Sequence, residues 1–323
     1  MKPVSAKRIA MVRIYDRVLR KLRMRDLQMI EIIAAKGSMA RAAEALRLSQ
    51  PAISKAIADL EHGFGAAVFD RSTRGVQLTE SGAVLLRRGR AILDELRHGL
   101  EEIENIADPT KGIVRIGVSL AQSLFIAAVI DRTSRHYPKI TFDVMMADPL
   151  RLIRALRDRD LDLAICRGQM AEREPDLRAD TLFRDRIEVV AAPTHPLARR
   201  RKLALSDLMQ ERWALPPPET YLGHLVQNAF RAQSLPLPRT VVSTTSLQLR
   251  FELMETGGFL TLASRSMVTH PNRRGRIRAL PVKFDDDAGP MAAITLKGRQ
   301  LTRVADLVLQ ETRSVARSVA VLE

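Results

Sequence analysis

The chain has a single cysteine, Cys166. No intramolecular disulfide can form, and a reducing compartment such as the cytoplasm is expected. No apolar run reaches the ~18 residues that a membrane span requires. The amino terminus is basic but lacks an apolar segment and a small-residue cleavage site, so a secretory signal is not expected. The six histidines show no metal-ligand spacing with acids or the cysteine, and neither a metal nor a cofactor is expected. No P-loop and no G-x-S-x-G elbow occurs, and "HGFGAAV" falls short of G-x-G-x-x-G and follows a helical pattern rather than a strand. Cys166 closes an apolar run and reads as a small core residue. These gaps argue against an enzyme.

Acids are also short: 37 Asp+Glu face 52 Lys+Arg, a formal net charge of +15, which favours an anionic partner. Arginine dominates the basic set, and its planar fork suits phosphate and base edges. The excess is uneven, because residues 1–25 hold nine Lys/Arg and a single acid. The segment 1–21 therefore reads either as a basic arm for DNA phosphates or as an extension upstream of a start at Met11 or Met24. A chain of 323 residues predicts two or three domains.

What is present begins with short helices. Leu27, Ile30, Ile33 and Ala34 recur at helical spacing and stop at Lys36-Gly37. Ser38 suits an N-cap for "MARAAEALRL". Ser49 can cap a third helix, with Pro51 tolerated in its first turn because the missing N–H has no intrahelical partner there. Ile53, Ile57 and Leu60 share one face of that helix; Pro51, Ser54, Lys55 and Ala58 occupy the other. Three short helices with a tight connection before the last match a helix-turn-helix, whose second helix enters the major groove by its amino-terminal end. Gln50 can reach base edges, and Ser54 and Lys55 can donate to base or phosphate. The segment "FGAAVFDRSTRGVQLTESG" then reads as a hairpin with Arg71 and Arg74 at its tip, suited to phosphate or minor-groove contact.

With these pieces in place, "LQMIEIIAAKGSMARAAEALRLSQPAISKAIADLEHGFGAAVFDRSTRGVQLTESG" resembles the DNA-binding domain of the LysR-type transcriptional regulators. The resemblance implies an α+β multidomain protein. A winged helix-turn-helix over 22–82 comes first, then a long linker and dimerisation helix over 79–108. A two-lobed α/β domain like that of periplasmic binding proteins follows over 112–323. It implies that Ser38, Ser49, Gln50, Pro51, Ser54 and Lys55 read DNA and that Arg71 and Arg74 grip the duplex. It further implies promoter DNA, a small-molecule effector and a homodimer or homotetramer as partners. Contact with RNA polymerase stays open.

The spacing itself supports the linker: Leu86, Leu93, Leu96, Leu100 and Ile103 form a narrow apolar seam in a proline-free stretch. From residue 112 strands and helices alternate, which predicts an α/β body with largely parallel sheets. Lobe I is expected at 112–166 with 267–323, and lobe II at 167–266, with crossings near Arg167 and Ser266. Ligands of open α/β sheets lie beyond strand carboxyl ends, near helix amino termini. That places Ser119, Gln122, Ser123, Arg167, Thr194, Thr244 and Thr245 as effector-binding candidates. Ser119 and Thr244 to Ser246 read equally well as plain N-caps. Two rivals remain: an architectural DNA-binding protein, and a metabolite-binding enzyme.

Overall fold

A computed structural model describes residues 15, 18, 20, 22–72, 75–284 and 289–320. It forms two compact units, divided after Glu104. The expected basic extension lies almost wholly outside the described residues, as does Arg74.

The first unit holds α1 (Met24–Lys36), α2 (Met39–Leu46), α3 (Gln50–Phe64), β1 (Phe69–Ser72), β2 (Gly75–Leu78) and α4 (Glu80–Glu104). The helical periodicity points Ile30, Ile33, Ala42, Ile53 and Ile57 into one core, each at most 1% exposed. Fully burying such an aliphatic side chain contributes roughly 1.5–3 kcal/mol. Chain reversals are set by local chemistry. Gly37 ends α1 at φ 62, a left-handed conformation that a residue without Cβ adopts freely. Ser38 Oγ accepts the Arg41 N–H at 3.4 Å, and Ser49 Oγ accepts the Ala52 N–H at 3.3 Å. The wing is an antiparallel hairpin in which Phe69 pairs with Leu78. It is tied to α3 by Glu61, whose Oε1 accepts from Val68 N at 2.7 Å and Phe69 N at 3.1 Å. Helix α4 ends at Glu104, short of the expected 108.

The second unit has two lobes. Lobe I carries β3 (Gly112–Ser119), α5 (Ser123–His136), β4 (Ile140–Ala147), α6 (Pro149–Arg157), β5 (Leu163–Arg167), α7 (Gln169–Glu172) and β6 (Leu177–Arg184). Lobe II carries β7 (Ile187–Ala191), β8 (Trp213–Leu215), α8 (Tyr221–Ala232), β9 (Thr240–Ser243), α9 (Leu247–Gly257), β10 (Thr261–Ser264), α10 (Arg265–Thr269) and β11 (Arg278–Ala279). The chain then returns to lobe I with β12 (Pro290–Leu296) and α11 (Arg303–Ala320).

Lobe I is a five-stranded sheet in the order β4-β3-β5-β12-β6. Its period-2 alternation serves two cores: Leu163 and Ile165 face one side with Phe125 and Val308, while Ala164 and Cys166 face the other with Leu152 and Leu156. The sheet is mixed rather than largely parallel. Strand β12 runs antiparallel to both β5 and β6, and in lobe II β10 and β11 run antiparallel to β7. The lobe boundaries also move. The expected crossing near Arg167 gives way to one at Asp185-Arg186, because β6 completes the lobe I sheet by pairing with β12. The expected return near Ser266 gives way to one after Phe284, because β11 pairs with β7. Among the described residues no helix is long and apolar enough to cross a membrane.

Candidate functional site

Two surfaces carry candidate chemistry. The first is the amino-terminal half of α3. Its inward face is fixed by Ile53, Ile57 and Leu60, which leaves Gln50, Pro51 and Lys55 exposed and Ser54 half-buried on the outer arc. The first-turn N–H groups lack intrahelical partners, so this end carries partial positive charge that suits phosphate. Ser38 and Ser49 spend their oxygens on caps, while each hydroxyl proton can still donate. Arg71 is exposed on β1. The caps, α3 and the wing strand are thus brought onto one unit.

Helix α4 presents a different chemistry. Ile92, Leu96, Leu100 and Ile103 are 44–65% exposed in the single chain. Gly89 interrupts the seam where α4 meets α1: a Cβ there would sit 3.2 Å from Leu27 Cδ2, and Arg90 pairs with Glu31 of α1 at 2.8 Å beside it. On the same helix Asp94, Glu95 and His98 bring ligand atoms within 4.8 Å of one another. The sequence reading missed this i,i+4 acid–histidine spacing, although Asp94 is already ion-paired with Arg97.

The second surface is a cleft of about 650 Å³, open mouth included, between the two lobes. Of the expected residues, Ser119, Gln122, Arg167 and Thr245 line it. Ser123, Thr194 and Thr244 do not. Thr194 is exposed beyond the far end of β7, because β7 enters lobe II from the hinge and it is Ile187, its first residue, that faces the cleft. The rule that ligands gather at strand carboxyl ends is therefore reversed for this strand. Thr244 Oγ1 accepts the Ser246 N–H at 3.1 Å, a local turn role. Arg167 Nη1 donates to the Gly289 carbonyl at 2.8 Å, which fixes its guanidinium at the cleft floor.

Several cleft residues escaped the sequence reading. Asp148 caps α6 through Leu150 N at 3.0 Å, and from across the cleft Tyr221 N donates to its other oxygen at 2.8 Å. The crossing segment holds buried Asp185, which accepts from Gln122 Nε2 at 2.8 Å, Ser266 N at 3.0 Å and Ser266 Oγ at 2.7 Å. The hinge acid thus links lobe I to lobe II. Arg250 lines the cleft from α9. One signal could have flagged it: Leu247, Arg250, Phe251 and Met254 follow inward helical spacing, with a charge where an apolar residue is expected.

Cys166 lies beneath this floor. Burial, with Asp148 nearby adding to it and Arg167 opposing, pushes its thiol up to about 12. A thiol kept protonated is a poor nucleophile. Iodoacetamide at pH 8 should leave Cys166 unmodified in the folded chain and alkylate it fully in urea, as read by intact mass. Rapid native labelling would show that the strand opens.

A winged helix-turn-helix joined in one chain to a two-lobed α/β body defines a transcriptional regulator that carries its own ligand-binding domain. The comparisons with known proteins agree. The model described as "Bacterial regulatory helix-turn-helix protein, lysR family" matches residues 24–83, and "LysR substrate binding domain" matches residues 107–317. The HTH-type transcriptional regulator GbpR of Azospirillum brasilense is 27% identical, over 92% of this chain and 87% of its own. BbuR of Bordetella bronchiseptica is 30% identical, over 88% of each. In fold, a point variant of full-length OxyR from Pseudomonas aeruginosa is similar at a TM-score of 0.61 and 19% identity, covering 92% of this chain and 95% of that one. The chain belongs to the LysR family of transcriptional regulators. Its parts are a helix-turn-helix DNA-binding domain and an effector-binding domain, and its relatives are regulators, not enzymes.

Proposed function

We propose that this regulator acts in the cytoplasm as a homodimer or homotetramer on promoter DNA. A small molecule held between its lobes sets how the DNA sites are spaced or bent. The observation that carries the DNA half is the polar, uncovered start of α3 above a fully apolar inner face. In this reading Gln50 and Pro51 meet base edges, Ser54 and Lys55 donate to base or phosphate, Ser38 and Ser49 cap and position, and Arg71 holds the backbone. The exposed seam of α4 supports pairing of subunits, because an apolar stripe left in water is disfavoured. Two recognition helices then read half-sites about one helical turn apart. The effector half rests on the Asp185 hinge: a ligand shifts the lobes only by binding their two arrangements differently.

Genomic fragments selected on the purified chain at about 150 mM salt, with excess unrelated DNA, test this. A few enriched fragments sharing an interrupted palindrome are expected; uniform recovery would favour an architectural protein. Lys55→Ala should weaken all sites similarly and lower the salt slope by about 1. Gln50→Ala should instead relax specificity, at about 1–3 kcal/mol for one base pair. A Gln50→Ala variant with unchanged sequence preference would remove Gln50 from base reading.

A further inference from the structure

Arg250 is 3% exposed, lines the interlobe cleft, and has no hydrogen-bond partner at Nε or Nη1 among the described residues. Burial alone pushes its guanidinium down to about 10, with no compensating acid. Across the cleft, Gln122 donates its amide N–H to Asp185, and its Oε1 has no partner among the described residues. Native chains rarely leave such groups unmatched, and each one calls for an explanation. The nearby acids do not supply it: Asp148 accepts from Leu150 N and Tyr221 N, and Asp185 from Gln122 and Ser266. Between the polar Ser119, Arg167, Thr220, Tyr221 and Thr245, the wall carries the apolar Leu120, Ile187, Leu222, Leu225 and Met291.

We propose that Arg250 is the specificity-determining residue of the cleft and that the effector is a small organic acid. Its carboxylate takes the Nε–H of Arg250 together with Nη2 beside it, the side-on fork of a guanidinium, and a hydroxyl or N–H on its apolar body donates to Gln122 Oε1. The paired donors of a guanidinium match the two oxygens of a carboxylate, which a point charge does not. The orphan donor sits in lobe II and the orphan acceptor in lobe I, so one molecule that satisfies both also bridges the lobes. Because Gln122 holds the hinge acid with its other end, occupancy is felt at the crossing. This inference rests on the reading that the cleft holds the effector.

The full chain is tested by thermal shift and titration calorimetry. The probes are benzoate, 4-hydroxybenzoate, hexanoate and 2-hydroxyhexanoate, each beside its primary amide, with sulfate as an inorganic anion. At least one acid should raise the Tm while its amide does not, and the hydroxy acids should lead their series. Arg250→Gln should weaken that acid roughly 30-fold or more, and Arg250→Lys should retain part of the binding. Without ligand, Arg250→Met should raise the Tm by roughly 3–6 °C, because it removes an uncompensated buried charge. Any of four results overturns the proposal: no acid protects, acids and amides protect alike, sulfate protects as well as the acids, or Arg250→Gln binds as the parent does. A lower Tm for Arg250→Met also overturns it, since the charge would then be matched within the protein. Acid binding that survives the cleft-filling Ala121→Trp would sink the cleft reading itself.

Discussion

Asp162→Ala is expected to lower the stability of the effector-binding unit by about 3–5 kcal/mol, the typical cost of stripping one partner from a buried ion pair. Asp162 and Arg299 have side chains 3% and 1% exposed and meet at 2.9 Å. Asp162 Oδ2 also accepts the Arg115 N–H at 2.8 Å, so the carboxylate ties the start of β5 to β3. Arg299 Nη1 donates further to the Leu161 carbonyl. With alanine at 162, a full positive charge stays in the core without its carboxylate, and the Arg115 N–H of β3 loses the Asp162 oxygen. For a unit of this size the Tm should fall by roughly 6–20 °C by calorimetry. Arg299→Met alone should cost less, since Asp162 keeps the Arg115 N–H. The double variant should recover part of the loss, because two matched removals leave no orphan charge. If the single and double variants were equal, the pair would contribute packing and not charge.

Gly82→Ala should impair the DNA-binding unit comparably. A Cβ at position 82 would lie 2.0 Å from the Val68 carbonyl oxygen and 2.9 Å from its carbon. Both are backbone atoms, so no rotamer change relieves the clash. The same carbonyl accepts the Thr79 N–H at 3.0 Å, and Thr79 Oγ1 caps α4 by accepting the Gly82 N–H at 3.0 Å. Pushing α4 away therefore breaks the cap and loosens the wing root at Val68 and Phe69. Overpacking of this kind costs about 3 kcal/mol or somewhat more. Affinity for a selected promoter fragment should fall by about 100-fold at fixed salt, following the loss of the reading-competent population. Acid-induced thermal protection should persist. Unchanged DNA affinity would show that the wing root yields without disturbing α3.

Much of this architecture was legible because local chemistry and tertiary need agree. The Ser49–Pro51 start of α3, the inward Ile53, Ile57 and Leu60, and the strands "GIVRIGVS" and "ITFDVMMA" all state their environment in their pattern. Strand β6 is hard to read from the sequence because "LRADTLFR" is an edge strand: its outer positions are polar, so the apolar alternation is faint. The hinge moves with it, since the β6–β12 pairing, with Leu177 and Phe183 buried in the lobe I cores, places residues 177–184 in lobe I. The carboxy-terminal α11 was passed over although Val304, Val308 and Val315 mark its buried face. Within the cleft, Ser119, Gln122, Arg167 and Thr245 were found by their position before helices or after strands. Arg250 was not, because a charged residue within a helix ordinarily reads as a solvated one, and only depth of burial separates the two cases.

The lone tryptophan gives the protein an optical reporter that needs no label. Trp213 is fully buried in the lobe II core, its Nε1–H donates to the Leu208 carbonyl at 2.9 Å, and Phe230 stands edge-on at 6.2 Å. Phe230 belongs to α8, whose other face brings Leu222 and Leu225 to the cleft. Any shift of that helix on occupancy changes the surroundings of the indole, so the emission of the unmodified chain follows the cleft through α8.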